Sequence, residues 1–170
     1  MKTKNIYLIA IFLFLGTFTA SAQGKFEMHL QFNTMHYWRG LRVSDGPIMA
    51  SSVGYFSKGF SAFVWSGVSF TGNYKEVDPV INFTHKNLSI TLLDINNFSG
   101  LTSIKYFNYD KNTTNTILDM SVAYKFSFMD ISWATIIYGN DRIAGTSEQR
   151  FSTYVEIGVP IKIKDYSVRP

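Results

Sequence analysis

Apolar and polar residues alternate with a period of two along most of this chain. Phe26, Met28, Leu30 and Phe32 fall on one side of the first stretch, with Glu27, His29, Gln31 and Asn33 on the other; that is the period of a strand with two unlike faces. Phe60, Ala62, Val64, Val68 and Phe70 share a parity, as do Val77, Ile81 and Phe83. So do Leu118, Met120, Val122, Tyr124 and Phe126, and again Val155, Ile157, Val159, Ile161 and Ile163. In these five stretches the apolar parity carries no formal charge, whereas Glu27, Asp78, Asp119, Lys125, Glu156 and Lys162 all lie on the other. Residues 48–56, 88–96 and 130–139 are strand-like with a less regular parity. The pattern predicts eight strands and an all-β fold.

The connections are of two kinds, and they alternate. Ser57-Lys58-Gly59, His85-Lys86-Asn87 and the region of Phe126-Ser127-Phe128 are tight, while 35–47, 71–77, 97–115 and 140–150 are longer and polar. In an up-and-down antiparallel sheet this order puts the short turns at one end and the long loops at the other, as in transmembrane barrels of the bacterial outer membrane. Such a barrel turns its uncharged side to lipid, where a charge near the midplane costs roughly 2–4 kcal/mol. The same alternation also suits a soluble exported β-barrel whose apolar side faces inward around an apolar ligand. Aromatic residues at strand ends (Tyr37, Trp38, Tyr55, Phe56, Tyr138 and Phe151) are placed where interfacial girdles form, which favours the membrane.

The N-terminus assigns a compartment. Lys2 and Lys4 precede an apolar run from Ile6 to Phe18, and Ala20-Ser21-Ala22 has the small-x-small form of a cleavage site. This is the tripartite pattern of a secretory signal peptide over residues 1–22, leaving residues 23–170 as one barrel domain. The run is shorter than the roughly 20 apolar residues of a spanning helix. Losing both lysines takes the formal charge from +4 to +2, so the basic balance implies no nucleic-acid partner. With no cysteine there is no disulfide framework and no thiolate zinc site. Export without disulfides points to a bacterial envelope, which the outer-membrane barrel pattern makes a Gram-negative one, and there the sequons at Asn82, Asn87, Asn97 and Asn112 are read as chance occurrences.

The segment YWRGLRVSDGPIMASSVGYFSKGFSAFVWSGVSF, residues 37–70, resembles the opening of the TorF-type porin family. Its members show an aromatic-x-R-G run, a proline, and a hairpin leading into a G-F-x-x-x-x-W strand. ISWATIIYGND and RFSTYVEIGVPI resemble later strands of Bacteroidetes relatives. The resemblance implies an outer-membrane β-barrel with a role in transport, in contact with outer-membrane lipid and inserted by the barrel-assembly machinery. The chain departs from the family at its end, KDYSVRP, where an aromatic-terminated closing strand is usual. Asp165-Tyr166-Ser167 reads as a turn leading onward, so a C-terminally truncated barrel is expected, the alternative being eight strands that close with a short tail. Pro160 suits an edge strand or bulge.

Candidate chemistry follows from the charged parity. Continuing the first strand's alternation brings Arg39 to the interior at the level of Asp78, Asp94, Asp119 and Glu156, a set able to form a constriction for ions or to brace a narrow interior. Glu27, His29, Lys125 and Lys162 form a second set at the periplasmic end. No cofactor, metal site or enzyme is predicted: the three histidines lie in no HExxH, and there is no GxSxG. His36, Ser44 and Asp45 mark the one reading as a lipid-modifying enzyme, and Phe63, Trp65 and Trp133 a reading as a sugar platform; both compete with ordinary loop and packing roles.

Overall fold

The computed structural model describes residues 24–101, 105–163 and 166–168, without the side chains of 162–168. The segment read as a signal peptide and the side chain of Lys162 therefore lie outside the described residues. Over the described residues the chain is all-β, with strands β1 (Lys25–Asn33), β2 (Tyr37–Trp38), β3 (Leu41–Arg42), β4 (Ile48–Ser57), β5 (Phe60–Ser69), β6 (Lys75–His85), β7 (Leu88–Ile95), β8 (Ile117–Lys125), β9 (Asp130–Gly139), β10 (Thr153–Gly158), β11 (Ile161–Ile163) and β12 (Tyr166–Val168).

Eight of these form one antiparallel sheet in the order β1-β4-β5-β6-β7-β8-β9-β10. The predicted up-and-down order is present, with the three short turns at one end and the long loops at the other. Closure is not: β1 and β10 are free edges, and no ladder joins them among the described residues. The strand expected at 155–163 is divided. Proline has no N–H to donate to a ladder, and β10 ends at Gly158, before Pro160. Beyond it β11 pairs with β12 as a separate hairpin.

Register fixes which side chains share a face. Phe26 pairs with Tyr55, Met28 with Val53 and Phe32 with Met49; Val53 pairs with Val64, Ala62 with Ile81 and Phe60 with Phe83. This face is apolar and open: Phe26 is 80% exposed and Ile157 60%, whereas Asp119 and Asp78 on the other face are only 2% and 5% exposed. A water-soluble protein buries the first kind of residue and exposes the second. Here the distribution is inverted.

The polar face supplies its own partners. Asn82 Nδ2 donates to Thr91 Oγ1 at 2.8 Å, and the hydroxyls of Thr84 and Ser89 share a hydrogen bond of 2.8 Å. Nearer the long loops lies a small core of Ile48, Ala50 and Tyr74, flanked by Val43 and Trp65. Gly67 makes room for it, since a Cβ there would meet the Trp65 ring at 2.6 Å.

The aromatic girdle is corrected in part. Tyr55 and Tyr138 share the apolar face, paired with Phe26 and Leu118. Phe56 faces the other way, its ring 5.3 Å from Phe63 and 5.7 Å from His29. Tyr37 and Trp38 lie on the β2–β3 hairpin and not on a strand of the main sheet. Phe151, exposed with φ +57°, lies in the loop before β10. At the short-turn end Phe26, Tyr55, Phe60, Phe83 and Tyr124 have the parity of the apolar face where strands end.

Candidate functional site

Residue 34 onward leaves β1 and folds over the polar face. The chain returns on itself in the hairpin of β2 and β3, where Trp38 pairs with Leu41 across two residues, Arg39 and Gly40. Both have positive φ, 51° and 77°, the geometry of a type I′ turn. Glycine adopts it freely, but for arginine it is uncommon and points to a side chain held by something else. Arg39 Nη2 donates to Asp119 Oδ1 at 2.6 Å, with both side chains largely shielded from water. The guanidinium also lies 4.4 Å from the Trp38 ring and 5.4 Å from that of Tyr154.

Asp119 keeps the alternation of β8, opposite Leu93 on β7, and the β8–β9 register shifts beside it, with Ile137 of β9 as the extra residue; a bulge of this kind bends the strand that carries it. The hairpin region also stacks His36 on Trp65 at 5.2 Å. It thus touches β5, β8 and β10 together. Five strand spacings of about 4.8 Å would separate β5 from β10 by roughly 24 Å on a flat sheet. A segment this short reaches both only because the sheet curls around it.

The expected charge cluster is therefore assembled in part. Arg39 meets Asp119 through a single contact and not bidentately. Asp78 lies on the same face but accepts from the backbone N–H of Asn96 at 3.0 Å. Glu156 is exposed near the edge, taking a hydrogen bond of 2.9 Å from Tyr154. Asp94 is a correction: it pairs with Leu118, next to the pair of Leu92 with Met120, and so shares the apolar face. β7 has leucine and isoleucine on both faces, so its parity could not be read from the sequence. A carboxylate there needs cover, and Tyr109 in the β7–β8 loop provides it, donating to Asp94 Oδ2 at 2.5 Å. That hydrogen bond, with burial, pushes the Tyr109 phenol up to about 12. Tyr109→Phe is expected to cost about 1–3 kcal/mol by leaving a buried acceptor unsatisfied. Urea unfolding measures it, and a change below about 0.5 kcal/mol, the size of an ordinary surface substitution, would show that Tyr109 does not cover the carboxylate.

At the short-turn end Glu27 pairs with Lys25 and lies 3.3 Å from His29, while Lys125 is exposed opposite Asp130. The two groups lie on different strands, and no ion pair joins them among the described residues.

His36, Ser44 and Asp45 do not converge. The His36 backbone N–H donates to Ser44 Oγ, and that hydroxyl donates to the Gly46 carbonyl, each at 2.8 Å. Asp45 accepts from Thr71 Oγ1 at 2.7 Å and Asn73 Nδ2 at 2.9 Å. The hydrogen bonds from Thr71 and Asn73 hold the Asp45 carboxyl below its ordinary 3.8. A depressed folded value means that this tie between two long loops is fully present above pH 3.8 and is lost as pH falls through the lower folded value. The Asn73 side-chain amide resonances are accordingly expected to shift only below about pH 4; a shift near neutrality would contradict the contact. Phe63 and Trp65 share the polar face, but Trp133, paired with Val122, lies on the other, so no common platform forms.

Glu76, 7% exposed, joins Asp78 on the buried face, and the parity they share is the sequence signal for it. Asn97 Nδ2 donates to Glu76 Oε2 at 2.7 Å. Burial and the neighbouring charge of Glu76 hold the Tyr74 phenol above its ordinary value. Among the described residues no three His, Cys, Asp or Glu side chains are grouped as metal ligands, and no helix is long and apolar enough to cross a membrane. Comparison with protein-family models, curated proteins and solved structures finds no match.

Proposed function

We propose that the chain is a β-barrel of the Gram-negative outer membrane, allowing passive diffusion of ions or small solutes past an internal hairpin. The observation that carries this reading is the inverted distribution of side chains, with Phe26, Val53, Val64 and Ile157 outside and Asp78 and Asp119 inside. Hydrocarbon is the medium in which that arrangement is stable. The soluble ligand-binding barrel draws no support from it, because such a barrel requires the opposite facing.

In lipid the unpaired groups along β1 and β10 would each cost several kcal/mol, so insertion requires these edges to pair. An even number of alternating strands leaves the first and last antiparallel, which suits direct closure of one on the other. The hairpin then lies inside the barrel, and Arg39 with Asp119 sets charge and width at its narrowest level. The resemblance to TorF-type porins points to the same class of protein.

Two measurements test this. Extracted membranes should yield a band whose gel mobility changes on heating, and the purified protein in planar bilayers should conduct in a way that Arg39→Ala alters in size or ion preference. Recovery of the folded protein from the periplasm without detergent would overturn the membrane reading. Identical conductance and ion preference in Arg39→Ala would overturn the role given to Arg39.

A further inference from the structure

Lys75 opens β6 at the long-loop end, and its register opposite Val68 puts its side chain on the apolar face. It is exposed, and no carboxylate forms a salt bridge with it among the described residues. A cation on a lipid-facing surface is tolerated near the interface, where its stem lies along hydrocarbon and its ammonium reaches the headgroups. Beside it the face is hollowed. Ser51 pairs with Leu30 on one side and Ser66 on the other, and Ser66 pairs with Val77. Two short side chains thus stand among longer ones, Leu30, Met49, Val68 and Val77, and with them bound a groove of about 300 Å³ that Lys75 also lines. The serine hydroxyls share a hydrogen bond of 2.8 Å, so the floor satisfies its own polar groups. The start of the β7–β8 loop walls the groove above. The Phe98 N–H donates to the Lys75 carbonyl at 2.7 Å, and the Lys75 N–H donates to Ser99 Oγ at 3.0 Å. Phe98 is buried, and Tyr106, 61% exposed, meets its ring edge-on at 5.2 Å; both line the groove.

We propose that this groove holds an acyl chain of an anionic, phosphate-bearing lipid, with the Lys75 ammonium on the phosphate. Two separate features select this occupant. The groove lies on the apolar face and its floor leaves no hydroxyl unpartnered, which suits hydrocarbon. Lys75 at its edge has no counter-charge, which suits an anion. A lipid without net charge would leave the lysine unpaired, and a soluble anion would leave the groove empty. This inference rests on the barrel reading, because the groove meets lipid only if the apolar face does, and it deepens that reading by naming one class of lipid at one place.

The test uses the full chain carrying Trp133→Phe and Tyr106→Trp, reconstituted in phosphatidylcholine bilayers. The indole at position 106 then reports on the groove, while Trp38 and Trp65 lie with the hairpin over the polar face. Lipids with brominated chains quench an indole they touch. Brominated phosphatidic acid is expected to quench with about fivefold the relative affinity of brominated phosphatidylcholine, the scale of one lysine near an anionic lipid. Lys75→Gln should bring that ratio close to one. Lys111→Gln, an equal charge change at an exposed loop position that does not line the groove, should leave it unchanged. Ser66→Leu, which fills the floor and keeps the lysine, should also lower it. Equal quenching by the two lipids, a ratio unmoved by Lys75→Gln, a ratio lowered as far by Lys111→Gln, or one unmoved by Ser66→Leu would each overturn the lipid site in a protein that has inserted. A chain that fails to insert, its gel mobility unchanged on heating, would overturn the barrel reading and the site with it.

Discussion

Arg39→Asn is expected to destabilise the protein by about 3–5 kcal/mol, the cost of leaving one member of a buried ion pair alone. The substitution is chosen because two effects oppose each other in it. Asparagine adopts positive φ more readily than arginine, so the turn at residues 39–40 gains; relief at one such position is worth of order 1–3 kcal/mol at most. Asp119, only 2% exposed, loses its sole cationic partner among the described residues, and that loss is the larger. Adding Asp119→Asn should recover much of the stability, because the stranded charge is then removed. Unfolding in urea of the two single variants and the double variant measures the coupling. If Arg39→Asn proved more stable than the parent, the hairpin would be set by its turn, with the ion pair incidental.

The second large effect concerns the apolar face. Val53→Arg and Val64→Arg lie at mid-strand and pair with each other across β4 and β5. Each is expected to lower stability in lipid by roughly 2–4 kcal/mol. Ser52→Lys, one residue away on the polar face, should cost less than about 1 kcal/mol, as interior positions of such barrels tolerate charge. The contrast is informative because Val53 is 54% exposed; in water an arginine there would be nearly neutral. Reversible folding into bilayers, followed by urea titration, measures the difference.

The strands were legible in the sequence wherever one face was uniformly apolar. β1 alternates throughout, β5 and β8 keep one face free of charge although Phe63 and Trp65 add apolar side chains to the other face of β5, and the charged parity of Asp78 and Asp119 is the buried one. β7 was not legible, because Leu92, Leu93 and Ile95 make both of its faces apolar; only pairing with β8 places Asp94. Extending the alternation of β1 predicts Arg39 opposite inward carboxylates, yet β1 stops at Asn33. Arg39 meets Asp119 through a separate hairpin whose turn depends on Gly40. That turn and its inward fold are tertiary outcomes with no local signature beyond the Arg-Gly pair. The same limit applies to Trp38, whose sequence pattern suits an interfacial position. An aromatic residue at a strand end has the same local pattern whether the chain then continues outward or folds back over the sheet. Glu76 shows the opposite case, since its parity with Asp78 was available in the sequence.

The facing of β5 can be read directly in a bilayer. The chain has no cysteine, so single cysteines introduced in turn at positions 61–68 can each carry a spin label without background. Collision rates are then measured with oxygen, which concentrates in lipid, and with a water-soluble nickel complex. Labels at the even positions should collide mainly with oxygen and those at the odd positions should not, with a period of two along the strand. Even positions screened from both reagents, or reached chiefly by nickel, would contradict a lipid-facing apolar surface.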